Sequence, residues 1–175
     1  PNNSELSDLL GNFSNLDISG PIGGVVEIEN FDFKNFKATT LIQLDKASIN
    51  FPFIGYEKRE NVKGLIICDL IFKDQYLEKI NNLQGELGGL VVNGKILFNP
   101  KNKFEKAHFD HVAFPGTQLN KLNLIRDKDG NYLAEVRGEN IDLRSILKNF
   151  QSSKDNDWDT KVLFDASSKK ISLPG

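Results

Sequence analysis

The sequence predicts a mainly β fold, built as a meander of antiparallel strands. Apolar and polar residues alternate over many short stretches, which is the period of a strand with one buried face. The 14 glycines and six prolines recur between these stretches as turn signals and do not gather in a linker. The chain has 175 residues, of which 39% are hydrophobic, which suits one domain with a buried core.

Residues near the two ends depart from the strand pattern and predict two short helices. Residues 4–10 begin with a serine N-cap and place leucines at helical spacing. Residues 143–150 follow Asp142 and place apolar side chains on one side of a helix. A polar linker is predicted over 151–157, and residues 158–173 predict the start of further strands.

Two dipeptides are strong signals for tight hairpins between the strands. Asn93-Gly94 and Asp129-Gly130 both tolerate the positive φ angles that two-residue hairpin turns require. We therefore expect a turn at each of them.

The alternation is clearest from Val62 to Phe72, where every second residue is apolar and Asp69 lies on the opposite side. The same rule applied to the other strands gives a broad sheet with one continuous apolar face. Its inward positions are predicted to include Val26, Ile28, Ile42, Leu44, Ile66, Cys68, Leu70, Phe72, Leu90, Val92, Ile96, Phe98, Leu122, Leu124, Tyr132, Ala134 and Val136.

Two short helices are too little to cover such a face. Either the sheet curls until the apolar face meets itself in a sandwich or barrel, or it curls partway and leaves an open trough for a ligand. The closed form is the commoner one among soluble β domains. The residues alone leave both forms open.

Composition excludes several functional classes. Lys and Arg number 22 against 24 Asp and Glu, so the formal net charge of −2 provides no basic field for a nucleic-acid partner. Cys68 is the single cysteine, which excludes an intramolecular disulfide and a Cys-based zinc cluster. The longest apolar window, residues 64–72, is too short to span a membrane as a helix. We expect any membrane anchor to lie outside this chain.

Motifs with catalytic or metal-binding chemistry are weak. His108 and His111 are three residues apart, so on a regular strand they point to opposite faces and cannot share a metal without a bulge. The string from Gly85 to Gly89 lacks the strand, helix and Lys-Ser/Thr context of a phosphate-binding loop. Asp127 to Asn131 fits a hairpin turn better than a calcium loop. We therefore expect no enzyme activity, no metal and no cofactor.

Four segments follow one another as in a known family. They read LDKASINFPFIGYEK at 44–58, VKGLIICDLIF at 62–72, VVNGKILFN at 91–99 and DGNYLAEVRGENIDLRSIL at 129–147. Over about residues 18–150 the chain resembles the AsmA-like superfamily, and more narrowly the C-terminal region of YhdP- and TamB-type envelope proteins of Gram-negative bacteria.

The resemblance implies a long, twisted antiparallel sheet curved into an open, taco-like groove that is apolar inside. It implies that the chain is one β-groove segment of a longer protein, followed and preceded by neighbouring segments. That protein would be anchored in the inner membrane, with this portion in the periplasm. Its groove would bind phospholipid acyl chains at the inward positions given above and help move phospholipid between the inner and outer membranes.

A second interpretation belongs to another functional class. The chain could be a structural β module, a spacer or adhesin-like stalk, whose apolar face is a sealed core without a ligand.

Overall fold

The computed structural model describes residues 16–29, 32, 34–101, 103–152 and 161–174. Over these residues the chain is mainly β, as predicted. The predicted helix at 4–10 and residues 153–157 of the predicted linker lie outside them. The elements are β1 Asp17–Ser19, β2 Gly23–Glu29, β3 Phe36–Gln43, β4 Ser48–Phe51, β5 Tyr56–Lys58, β6 Gly64–Lys73, β7 Tyr76–Leu87, β8 Leu90–Phe98, β9 Phe104–Phe114, β10 Thr117–Arg126, β11 Tyr132–Asp142, α1 Arg144–Ser152 and β12 Val162–Ser172.

Nine of these strands form one large curved sheet in the order β12-β11-β10-β9-β8-β7-β6-β3-β2. From β6 to β11 each strand pairs antiparallel with the next strand in sequence. The sheet does not close, so β2 and β12 are its edges. The predicted open, curved meander is therefore confirmed.

The hairpins are short because the turn residues adopt left-handed backbone angles. Gly88 and Gly89, with φ of 58° and 101°, join β7 to β8. Asp129-Gly130 lies between β10 and β11, and Gly130 has a φ of 90°, so this predicted turn is confirmed. The turn predicted at Asn93-Gly94 is wrong, because both residues lie inside β8.

The strand after β11 pairs in parallel, unlike the strands before it. The predicted helix at 143–150 is confirmed as α1, in which the Leu147 N–H donates to the Leu143 carbonyl at 2.9 Å. After α1 the chain returns as β12, which pairs with β11 in parallel over its whole length. The prediction that all strands pair antiparallel is therefore wrong for β12. An intervening helix carries the chain back to the end of the sheet where β11 began, so β12 runs in the same direction as β11.

A small antiparallel sheet, β1-β4-β5, and a 3-10 helix at Pro52–Ile54 are inserted around the β3-to-β6 connection. The 3-10 helix contacts α1. We call the small sheet, the 3-10 helix and α1 together the cover. Its residues Ile49 and Tyr56 pack with Leu44 and Leu87 into one buried cluster.

Lys58 is the largest fully buried side chain among the described residues, with 1% of its surface exposed. Its Nζ donates hydrogen bonds to the carbonyl oxygens of Leu44 and Ala47, both at 2.7 Å, and to that of Arg59 at 3.3 Å. The ammonium thereby satisfies carbonyl groups of the β3–β4 connection that are shielded from water. Lys58 on β5 therefore links the cover, through these hydrogen bonds, to the residues that follow β3 at one end of the large sheet.

Extra residues interrupt the strand register along a line across the sheet. Asn82, with a φ of 49°, lies at a bulge of β7, and Asp110 is the extra residue of β9. The pairing of β10 with β11 skips Asn120 and Glu139. Bulges bend a strand and increase its twist, so this line of bulges accounts for the curvature of the sheet.

Two glycines accompany the bulges. A Cβ atom at Gly94 would lie 2.8 Å from Phe109 Cα and closer still to the His108 carbonyl oxygen. At Gly138 it would overlap the Gln118 carbonyl in the same way. Glycine is required at both positions because neighbouring backbones approach too closely for any side chain.

Candidate functional site: the apolar sheet face

The predicted inward residues that lie in strands are brought together on one face of the large sheet, called here the apolar face. Residues paired across neighbouring strands share a face. Their pairing traces an uncharged row across all nine strands, from one edge to the other: Ile28, Ala38, Leu70, Ile80, Ile96, Ala107, Leu124, Ala134 and Phe164.

A second row runs parallel to the first, closer to the cover, and the row through Val26, Thr40 and Cys68 lies between them. The second row also contains no charged side chain: Gly24, Ile42, Ile66, Gly85, Val92, Val112, Leu119, Gly138 and Ser168. Leu44 continues the same side of β3 beyond its last residue and is buried under the cover. A long apolar surface therefore extends through the whole width of the sheet.

Part of the apolar face is packed as core. Under the cover, Ile42, Ile66 and Leu90 contact the buried cluster of Leu44 and Tyr56. A second cluster comprises Val112, Leu119, Ala134, Val136 and Ile141, against which Leu143 packs. Among the predicted inward residues, Leu44, Cys68, Phe98, Ala134 and Val136 are at most 7% exposed. These five serve the packing of the protein itself.

The apolar face is open at the β2 edge. Val26 and Ile28 are 62% and 52% exposed. Leu70 and Ile96 are half-buried, and so is Phe72, whose ring stacks on Phe36 with centroids 4.4 Å apart. A hydrocarbon chain could contact these side chains without displacing the cover.

Cys68 lies on the apolar face beside Thr40. Its Sγ is 3.1 Å from Thr40 Oγ1, and burial raises the pKa of the Cys68 thiol. A neutral, buried thiol is a poor nucleophile. The environment of Cys68 is that of a small packing residue.

The opposite face of the sheet, called here the outer face, carries ion pairs and hydrogen bonds between strands. Lys37 on β3 reaches Glu29 at 3.6 Å and Asp69 at 3.4 Å. Near the other edge Glu135 accepts hydrogen bonds from Lys121 and Asn123, at 3.0 and 2.7 Å. The outer face thus carries paired charges beside apolar residues such as Leu41 and Ile67, whereas the two rows of the apolar face carry no charge.

Asp69 is the most shielded carboxylate of the outer-face pairs, and it carries a prediction for acid stability. Burial alone would raise the pKa of Asp69, but hydrogen bonds from Thr39 and Asn82, together with Lys37, lower it below its ordinary value of 3.8. Because the pKa of Asp69 is lower in the folded state than in the unfolded state, its ionised form stabilises the fold at pH values above the ordinary pKa. This stability is lost as the pH falls through the folded-state pKa. We expect Asp69→Asn to be clearly less stable than wild type at pH 7.

The difference between wild type and Asp69→Asn should shrink as the pH falls below 4. Urea unfolding midpoints at pH 7 and at the lowest pH where the protein stays folded measure it. Asp17→Asn is the matched control, because Asp17 is exposed on β1 and has no such hydrogen bond or ion pair to another described residue. A pH-independent difference for Asp69→Asn would contradict the prediction.

The prediction that His108 and His111 point to opposite faces is wrong, because Asp110 forms a bulge between them. His108 pairs with Lys95 and His111 with Asn93, on either side of the extra residue, so both belong to the outer face. His108 binds Asn123 through Nδ1 and Asp110 through Nε2. Over the described ranges, the structure has no group of three or more His, Cys, Asp or Glu residues arranged to hold a metal ion.

Sequence reasoning missed the apolar face of β9. Ala107, Phe109 and Val112 all lie there, and Val112 is buried. The segment HFDHVAF breaks strict alternation at Asp110, so a period-2 reading fails on one side of it. A bulge assumed at Asp110 would have recovered all three residues.

No helix within the described residues has the length and apolar character needed to cross a membrane. Comparisons of the chain with protein-family models, with curated proteins and with solved structures return no match.

Proposed function

We propose that this chain binds phospholipid acyl chains on the open part of its apolar face. As a periplasmic segment of an AsmA-like, inner-membrane-anchored envelope protein, it would help move phospholipid between the inner and outer membranes. The observation that carries the proposal is the uncharged row that crosses all nine strands of a sheet that stays open.

The energetics of an acyl chain favour such a surface. Exposing about fourteen methylenes to water costs about 11 kcal/mol, at about 0.8 kcal/mol each. A path for the chain must therefore be apolar along its length, whereas a charged side chain would interrupt it. The uncharged rows meet this requirement, and a polar headgroup would stay in water outside the open part of the apolar face.

The second candidate is the structural module with a sealed core. The five buried residues of the apolar face favour it, since Phe98 and Val136 are packed by the protein's own side chains. The two candidates differ at the β2 edge and at Leu70, where the face is not fully covered.

The test is native mass spectrometry of protein purified without detergent, followed by lipid extraction. We expect bound phospholipid in wild type. In Val26→Asp we expect about tenfold less, because a carboxylate beside an acyl chain costs at least 1.4 kcal/mol. Val25→Asp is the matched control: Val25 is 66% exposed on the same strand but lies on the outer face.

Equal loss in both variants, or wild type that carries no phospholipid, would contradict the proposal. The variant Leu70→Asp distinguishes the lipid-binding function from the structural module. On a lipid-binding face this variant should lose phospholipid and largely keep its circular dichroism spectrum. In a sealed core, the buried unpaired carboxylate should unfold the module.

A further inference from the structure

Strand β2 is an unprotected edge of the large sheet. Within the described residues it pairs with β3 alone, and all seven of its residues are exposed. Val25, Val26 and Ile28, together with Ile22 just before the strand, are each more than half exposed. The backbone groups on its free side are available to a further strand, and apolar side chains flank them.

The strand lacks lysine, proline and a bulge, three of the devices that usually block edge pairing, and its charged residues are Glu27 and Glu29. Residues 23–29 contain no proline and no lysine, and their register with β3 runs without a shift from Gly23 to Glu29. The opposite edge, β12, carries Lys169 and Lys170. Lysines on an edge strand discourage the approach of another strand, so β2 is the edge suited to pairing.

A second copy of β2 is complementary to the first. In antiparallel pairing over the full strand, Gly23 faces Glu29, Gly24 faces Ile28, Val25 faces Glu27, and Val26 faces its own counterpart. No glutamate then opposes a glutamate. A shift that centres the pairing on Glu27 would place Glu27 against Glu27, and like charges directly opposite each other are destabilising.

We propose that two copies of this chain associate through antiparallel β2–β2 pairing centred on Val26. The interface is isologous, because one strand supplies the same surface to both sides. Val26 and Ile28 lie on the apolar face, so the pairing would join the apolar faces of the two copies into one surface. The proposal rests on the edge strand and does not require that the face bind lipid.

Light scattering at about 100 μM protein is the first measurement. We expect a dimer of twice 19.7 kDa. A monomer would overturn the proposal. So would a series of larger species, because pairing of β2 with β12 is head-to-tail and need not close.

Cysteine crosslinking tests the register. Opposed Cα atoms in an antiparallel pair are about 4.5–5.5 Å apart, within disulfide range, so Val26→Cys should form a crosslinked dimer on oxidation. Ile28→Cys is the matched control, on the same strand and face with similar exposure. In this register the two Ile28 positions are about 13 Å apart along the strands, beyond disulfide reach.

Wild type controls for the native thiol, since Cys68 is buried. Crosslinking of Val26→Cys at least tenfold above Ile28→Cys supports the register. Equal crosslinking of the two variants, or none in either, would overturn it.

Discussion

Replacing Lys58 with methionine is expected to lower the free energy of unfolding by about 3 kcal/mol. Methionine fills a similar volume but donates no hydrogen bond. The carbonyl oxygens of Leu44 and Ala47 would then lose their 2.7 Å partner in a site without access to water. The Leu44 carbonyl keeps a hydrogen bond from the Ala47 N–H at 3.1 Å, so the acceptor that loses most is the Ala47 carbonyl. A hydrogen bond to a charged group contributes about 1.5–3 kcal/mol, and two such bonds are lost together.

Urea unfolding monitored by circular dichroism measures this change. Arg59→Met is the matched control. Arg59 is the next residue and is also cationic, but its side chain is 83% exposed and pairs at the surface with Glu57. We expect that variant to change stability by less than about 0.5 kcal/mol. If Lys58→Met were as stable as Arg59→Met, the carbonyl oxygens would not depend on the ammonium.

Replacing Gly94 with valine is expected to destabilise the protein by at least about 3 kcal/mol. The new Cβ would overlap the His108 carbonyl oxygen and approach Phe109 Cα to 2.8 Å. These are backbone atoms of a paired strand, so the strain cannot be relieved by turning a side chain. We expect a lower urea midpoint and a partial loss of the bend between β8 and β9.

Gly23→Ala provides the contrast. At Gly23 a Cβ would meet only the Gln43 side chain, at 3.4 Å or more, and φ is outside the left-handed region. Alanine reduces the entropy of the unfolded chain there, so we expect stability to be unchanged or higher by up to about 1 kcal/mol. Equal losses at Gly94 and Gly23 would show that close backbone approach is not the cause.

The period-2 pattern was sufficient to predict the fold class and most of the apolar face. In β6, Ile66 and Leu70 face one way and Asp69 the other, because each residue of a regular strand alternates sides. The same rule placed Leu124 and Ala134 on the apolar face, and the structure pairs the two residues directly. Which face of a strand is apolar is decided by neighbouring residues in the chain, so it can be predicted from the sequence.

Features that depend on distant contacts were not predicted. Asn93-Gly94 has the composition of a hairpin turn, but its glycine serves the approach of β9 at a bulge. The parallel return of β12 depends on where α1 docks. The burial of Phe98 and Val136 likewise depends on packing between distant segments, which alternation within one strand does not encode.

The sequential order of β6 to β11 has a consequence for how the molecule is assembled. Each of the strands β7 to β10 pairs with the two strands next to it in the chain, through hairpins. Such an arrangement behaves as a one-dimensional array whose cohesion is a sum of nearest-neighbour terms. Folding can then advance hairpin by hairpin with short loop closures, and evolution could lengthen or shorten the array by whole hairpins without redesigning the rest.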